Sequence, residues 1–241
     1  MRFEQIFSGS SANLYTVSTM SGKSLLIECG VSYKKLLKAL KYDLSNIEAV
    51  LCSHSHKDHS AAMLELMEAG QDVYSSAGTF SALGIKEDCP QYRRAKIIKD
   101  KDLVRFPSFQ VFAFKTNHDA QEPLGFAIRE PATNEYMLFA TDTSFLEQRF
   151  AYPFKIIALE CSYNKEILQH RVDTNDINET LAKRLLTSHL EKTETMRYIE
   201  QFCDLSKCTE INLLHCSADN LDKEKTCQEF EQKFKISVVI K

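Results

Sequence analysis

Three histidines and an aspartate fall within six residues of this chain, in the run Leu51-Cys52-Ser53-His54-Ser55-His56-Lys57-Asp58-His59-Ser60. The sequence holds only seven histidines, so this concentration is not incidental. Ile47 to Cys52 before it reads as a strand, and Ala61 to Met67 after it reads as a helix. Side chains alternate along extended backbone, so His54 and His56 point the same way. The turn into the helix aims Asp58 and His59 at a second point nearby. Imidazole and carboxylate together suit zinc, iron or manganese better than calcium or magnesium. The chemistry implied is that of a metal site.

Such a turn needs rigid elements to hold it and further donors to complete it. Three later apolar runs each end in a candidate donor. Phe109 to Lys115 is followed by His118, Glu135 to Ala140 by Asp142, and Ile211 to Leu214 by His215. Residues at the ends of sheet strands can converge from distant parts of a chain. His189, in Thr187-Ser188-His189-Leu190-Glu191, is ambiguous between a helix-end residue and a site residue. His170 reads as a surface residue on a helix. Lys165, Arg171, Ser217 and Asn220 are weaker candidates for phosphate contacts.

In chain order, Arg2–Phe7, Ala12–Ser18 and Lys23–Glu28 read as strands, and Tyr33–Leu40 as a helix. After the metal turn come a short strand to Ser75 and a helix from Gly78 to Leu83. The stretch from Ile85 to Lys101 carries little periodic signal. Strands follow from Phe109, Leu124, Glu135 and Phe154. The last third reads as helices Asn164–Gln169, Asp176–Leu190 and Thr193–Phe202, strand Glu210–His215, helix Asp222–Phe234 and strand Ile236–Ile240. Two blocks of strands, each followed by helices, imply two packed sheets with helices outside, and no linker or repeat divides the 241 residues. A single α/β domain over residues 1–241 is expected.

Composition narrows the class. Hydrophobic residues make up 44% and charged residues 26%, as in soluble globular proteins. A net charge of −3 argues against a protein that coats nucleic acid over a broad basic surface, while leaving room for a local basic rim. The sequence carries no export signal and no apolar run long enough to span a membrane. The eight cysteines are scattered, with Cys29, Cys52, Cys161 and Cys216 inside apparent core strands. They read as reduced thiols, and a cytoplasmic location is expected. Cys203 and Cys208 have no second pair at zinc-ribbon spacing.

The pattern His54-x-His56-x-Asp58-His59, followed in order by His118, Asp142 and His215, resembles the metallo-β-lactamase superfamily over almost the whole chain. Finer motifs resemble its YycJ (WalJ) exonuclease-like branch. They are Gly9-Ser10-Ser11-x-Asn13, His118-Asp119-Ala120-x-x-Pro123-x-Gly125-Phe126, Ala140-Thr141-Asp142-Thr143, Glu160-x-Ser162-Tyr163-Asn164, Ser188-His189-Leu190 and His215-x-Ser217-x-x-Asn220. The resemblance implies an αββα sandwich with two divalent ions, zinc or manganese, with iron also suited to the donors. It places His54, His56 and His118 on one ion, Asp58, His59 and His215 on the other, and Asp142 between them. Two such ions would activate a bound water for hydrolysis, with Asp58 expected to orient it and His189 the candidate contact to substrate or leaving group. Each imidazole should donate its other N–H to an acceptor, and Glu28 and Glu160, at strand ends, are the candidates; Glu28 stands where the family usually has an aspartate that braces the metal loop, and Cys216 replaces a usual leucine.

The resemblance to the YycJ branch implies phosphodiester hydrolysis in nucleic acid, DNA acted on from an end. RNA-processing relatives differ by a long inserted domain or a glycine- and proline-rich arm, neither of which is present. Hydrolysis of a small ester, thioester, lactone or cyclic phosphodiester would use the same seven donors. A non-catalytic or redox role is the third reading; redox relatives usually carry an acid where His59 stands.

Overall fold

The computed structural model describes all 241 residues, which divide into two compact units. The first comprises Met1–Lys115 and Ala120–Glu135; the second comprises Thr116–Asp119 and Tyr136–Lys241.

The first unit begins with strands β1 (Arg2–Phe7), β2 (Leu14–Ser18) and β3 (Ser24–Ile27), then helix α1 (Tyr33–Ala39) and strand β4 (Ile47–Leu51). Helices α2 (Lys57–Ser60) and α3 (Met63–Glu68), strand β5 (Val73–Ser75), helix α4 (Ala77–Ala82) and strand β6 (Ala95–Ile97) follow. The six strands form one sheet in sequence order. β1, β2 and β3 pair antiparallel, and β3 to β6 run parallel. Edge strand β1 alternates exposed Arg2 and Glu4 with buried Phe3 and Gln5, whereas β3 is buried throughout, as expected of a strand with cover on both faces. Helices α1, α3 and α4 cover this sheet through a core that includes Leu26, Leu36, Val50, Leu66 and Phe80. The unit also contains three antiparallel strands, β7 (Leu103–Arg105), β8 (Gln110–Lys115) and β9 (Leu124–Glu130). Leu124 N donates to Ser53 O at 3.0 Å, tying the start of β9 to the turn after β4.

The second unit is built on parallel strands β10 (Glu135–Ala140, entering the unit at Tyr136), β11 (Ile156–Glu160), β12 (Glu210–Leu214) and β13 (Ser237–Ile240). Helices α5 (Lys165–Asp173), α6 (Glu179–Ser188), α7 (Lys192–Phe202) and α8 (Lys223–Phe234) connect them. All five residues of β11 are buried. Side-chain oxygens of Asn164, Asn178, Glu191 and Asp222 accept from backbone amides in the first turns of α5, α6, α7 and α8, satisfying donors that a helix start leaves open.

Several element ends depart from the periodicity reading for local reasons. The helix expected from Asp176 begins at Glu179, because Asn178 caps it. The strand expected from Ala12 begins at Leu14, because the Asn13 amide turns to Asp58 O at 2.9 Å. The helix after the metal turn is broken into α2 and α3, where the Ala62 amide leaves the helical pattern for Cys29 O. The weak stretch from Ile85 holds a 3-10 turn, Pro90–Arg94, and the three-residue strand β6, both too short to show a period. No helix is long and apolar enough to cross a membrane.

Candidate metal centre

Parallel strands present their carboxyl ends to one edge, the common location of sites in α/β sheets. The candidate residues follow that rule in both units. Glu28 directly follows β3, and Ser53 to His59 follow β4; Asp142, Glu160 and His215 lie at or just beyond the ends of β10, β11 and β12. Glu28, Asp142 and His215 adopt left-handed backbone, with φ of 61°, 47° and 51°. None is glycine, so each carries a conformational cost of about 1–2 kcal/mol. The chain reverses there as it leaves the strand, and the surrounding hydrogen bonds hold it.

In the first unit, His54 Nε2 lies 3.0 Å from His56 Nδ1, and the His54 and His59 rings are 4.2 Å apart. His59 Nε2 lies 3.2 Å from Asp58 Oδ2. The turn is fixed from behind. Ser60 Oγ donates to Ser55 O and His56 O. The buried Glu28 carboxylate accepts from Ser53 N at 3.3 Å and lies 3.5 Å from His59 Nδ1. Ser53 Oγ lies 2.8 Å from His54 Nδ1.

Asn13 is fully buried beside this turn. Its Nδ2 donates to Asp58 Oδ2 at 3.2 Å and lies 3.0 Å from His59 Nε2, while its Oδ1 accepts from Gly9 N and Tyr15 OH. Sequence reasoning assigned Asn13 no role, although it closes the Gly9-to-Asn13 motif. Gly30 lies against the same turn so closely that a Cβ there would sit 1.5 Å from Asp58 O.

In the second unit, His118 Nε2 lies 3.5 Å from Asp142 Oδ2 and 3.1 Å from Asp119 Oδ1. His215 Nε2 lies 3.8 Å from Asp142 Oδ1. The His118 and Asp142 loops are joined: Asn117 N donates to Thr143 Oγ1 and Ser144 N donates to Asn117 O. His118 Nδ1 lies 2.8 Å from Ser188 O. The Glu160 carboxylate is fully buried and central; Oε1 lies 2.6 Å from His189 Nδ1 and 3.6 Å from His215 Nδ1, and Oε2 accepts from Thr143 N at 2.7 Å. Asp142, Glu160, His189 and His215 bring one donor atom each within 4.8 Å of one another.

These environments set proton affinities. Burial holds the His118 imidazole below its ordinary value, against the pull of Asp142, which favours the uncharged ring. Burial also acts downward on His189, but the Glu160 carboxylate outweighs it and its affinity is raised. The Cys52 and Cys161 thiols are pushed well up by burial, so they stay protonated.

The donor set fits divalent metal. Zinc–nitrogen bonds of about 2.0–2.1 Å in tetrahedral geometry place neighbouring donors roughly 3.3 Å apart. The separations of 3.0, 3.2, 3.5 and 3.8 Å bracket that spacing. Metal-bound imidazoles ordinarily have the second nitrogen held by an acceptor. Here Ser53 Oγ and Ser188 O lie 2.8 Å from those nitrogens of His54 and His118, within hydrogen-bond distance, while the Glu28 and Glu160 carboxylates face those of His59 and His215 from 3.5 and 3.6 Å.

The weaker candidates are engaged elsewhere. Arg171 donates to Asn220 Oδ1 at 2.8 Å and to Asp176 O, and Asn220 Nδ2 donates to Ser217 Oγ. These three brace a loop. Lys165 and His170 are exposed on α5.

The fold and these donors place the chain in a family of metal-dependent hydrolase folds. The family model described as the Beta-lactamase superfamily domain matches residues 23–202, and the chain belongs to that family, with the metallo-β-lactamase fold. Among curated proteins it is 26% identical over 177 residues to the exodeoxyribonuclease YycJ of Bacillus anthracis, covering 70% of this chain and 66% of the relative. It is 29% identical over 160 residues to the exodeoxyribonuclease WalJ of Streptococcus pneumoniae, covering 62% and 57%. The matched region thus spans less than two thirds of either relative. The crystal structure of the metallo-β-lactamase fold protein YhfI from Bacillus subtilis superposes with a TM-score of 0.71 at 18% identity, covering 99% of this chain and 95% of that one.

Proposed function

We propose that this chain acts as one metallohydrolase domain, a phosphodiesterase of nucleic acid that degrades DNA from an end. His54, His56 and His118 would hold one divalent ion, Asp58, His59 and His215 a second, and Asp142 would serve both. Zinc or manganese suits this set of imidazoles and carboxylates. Bound there, the ions supply Lewis acidity, lowering the pKa of water and offsetting the charge that builds on phosphorus oxygens.

The observation that carries the reading is the backing of the histidines. Glu28 behind His59 and Glu160 behind His215 are buried carboxylates with no exposure to solvent, each also accepting a backbone amide. Facing the rings from 3.5 and 3.6 Å, they are placed to raise ligand basicity and fix ring orientation once each Nδ1 donates to them. Asp58, held by Asn13, orients the attacking water and accepts its proton. His189, held at Nδ1 by Glu160, turns its other nitrogen to the leaving oxygen and supplies a proton to it. The resemblance to two exodeoxyribonucleases directs the choice of nucleic acid.

The test is degradation of an end-labelled DNA duplex by protein reloaded with manganese or zinc, beside Asp58→Ala to expose contaminating nucleases. Loss of label with wild type alone is expected, and the product ladder gives direction. Cleavage of RNA of the same sequence in preference to DNA would replace the substrate. Turnover of a chromogenic ester with neither polymer cut, from protein shown to hold two ions, would refute the nuclease assignment.

A further inference from the structure

Beside Asp58 the first unit has an open cavity of about 400 Å³ lined by the exposed side chains of Ser10, Ser11, Ser32, Lys35 and Lys57 and by half-buried Asp58. Its remaining wall is backbone and small side chains, including Gly30. Lys35 and Lys57 come from different helices, α1 and α2, and neither enters an ion pair. Ser32 heads α1, yet its hydroxyl caps no backbone amide of that helix. The charged groups of the cavity sum to +1, two lysines against Asp58, in a chain whose net charge is −3. Once the Asp58 charge is spent on a metal ion, two uncompensated ammonium groups remain.

From this placement we infer that the cavity is a binding site for a non-reacting phosphate of the substrate strand, with Lys35 and Lys57 as its cationic contacts and the three serine hydroxyls as donors. The inference rests on the nuclease reading above and extends it to strand positioning. Ammonium groups paired with hydroxyl donors match a phosphate's charge and its several acceptor oxygens. A cavity of this size admits a phosphate together with part of its sugar. Its position on the Asp58 side of the metal turn sets the strand relative to the attacking water without touching the reacting phosphorus. Lys35 and Lys57 are therefore positioning residues.

The experiment measures affinity of the metal-loaded protein for a fluorescent phosphorothioate oligonucleotide by anisotropy, as a function of salt. Lys35→Ala is the principal variant, since α1 carries no candidate ligand, and Lys34→Ala, one residue away and outside the cavity, controls for net charge. Lys57→Ala adjoins Asp58, so its metal content is measured alongside. Lys35→Ala is expected to weaken binding several-fold and to reduce the salt slope by roughly 0.7 for single strands, with about twice that slope change in the double variant. In turnover it should raise KM with little change in kcat, and Lys35→Arg should restore binding. An effect confined to 5′-phosphorylated strands assigns a terminal phosphate, and an equal effect on 5′-hydroxyl strands assigns an internal diester. Binding by Lys35→Ala equal to that by Lys34→Ala, or no binding by wild type, overturns the inference. Strand binding that depends on Lys35 in a protein that cuts no nucleic acid would retain the phosphate site and remove the nuclease reading. Cleavage with KM and affinity indifferent to Lys35 would do the opposite.

Discussion

Replacing Gly30 by alanine tests how tightly the metal turn is built into the first unit. The added Cβ would lie 1.5 Å from Asp58 O, 1.9 Å from Asp58 C and 2.5 Å from His59 N. These are backbone atoms, so no flexible side chain can swing aside. Ordinary contact begins near 3.4 Å, and the seam must therefore open by 1.9 Å (3.4 − 1.5). Three buried hydrogen bonds cross it: Asn13 N to Asp58 O at 2.9 Å, Cys29 N to His59 O at 2.8 Å and Ala62 N to Cys29 O at 2.9 Å. An opening of that size carries at least the first two out of range. Buried groups left unpaired cost about 1–3 kcal/mol each, so the loss is roughly 2–6 kcal/mol. The gain in chain entropy from glycine to alanine returns only about 0.4–1 kcal/mol. Against a typical total of about 5–15 kcal/mol, Gly30→Ala is expected to be severely destabilised and to bind less metal. Urea unfolding of metal-free protein reads the first effect and metal analysis after reloading reads the second. A stability within about 1 kcal/mol of wild type with full metal content would show that the turn is compliant, and the argument for a rigidly held Asp58 would fail.

Three further outcomes follow from particular contacts. Asn13→Ala removes the donor to Asp58 Oδ2 and should lower metal affinity about 10–100-fold in a chelator competition, with unchanged affinity refuting a role in holding Asp58. Glu160→Gln removes the buried anion shared by His189 and His215; it should lower metal affinity by a similar factor, about 10–100-fold, read by the same competition, and wild-type affinity would count against the backing argument. Burial, with Tyr136 beside it, pushes the Tyr152 hydroxyl up to about 12. Because the folded value lies above the unfolded value of about 10, the neutral phenol stabilises the fold below pH 10, and that contribution disappears as pH rises toward 12. The stability of wild type relative to Tyr152→Phe should therefore fall across that interval, and a constant difference in urea midpoint would contradict it.

The two units solve the same problem with the same chemistry. Each places a fully buried glutamate at the end of a parallel strand, and each glutamate stands behind an imidazole while accepting a backbone amide from an adjoining loop. In each, non-glycine residues take left-handed backbone at strand ends, at Glu28 in the first and at Asp142 and His215 in the second. Strain at these positions and not along the strands fits a site in which side-chain direction matters more than backbone comfort.

Much of this site was legible in the sequence because its signals are local. The spacing of His54, His56, Asp58 and His59 along one turn fixes which side chains can face together, and buried parallel strands such as Ile156–Glu160 announce themselves as apolar runs. The places of His118, Asp142 and His215 beyond strand ends were equally readable, since strand ends are where a sheet delivers side chains. Strand-end position also suggested Glu28 and Glu160 as supports, but no local period encodes which donor each one faces. Asn13 reaches Asp58 across 45 positions and His189 meets Glu160 across 29, contacts set by sheet order and strand register. For the same reason Arg171 and Asn220, credible phosphate contacts by residue type, are spent on each other across 49 positions, while Lys35 is brought beside Asp58. Residue types and short spacings determined that this chain carries donors for metal. Only the tertiary structure decided which neighbours hold those donors in place, because that depends on packing between segments whose separation along the chain carries no periodic trace.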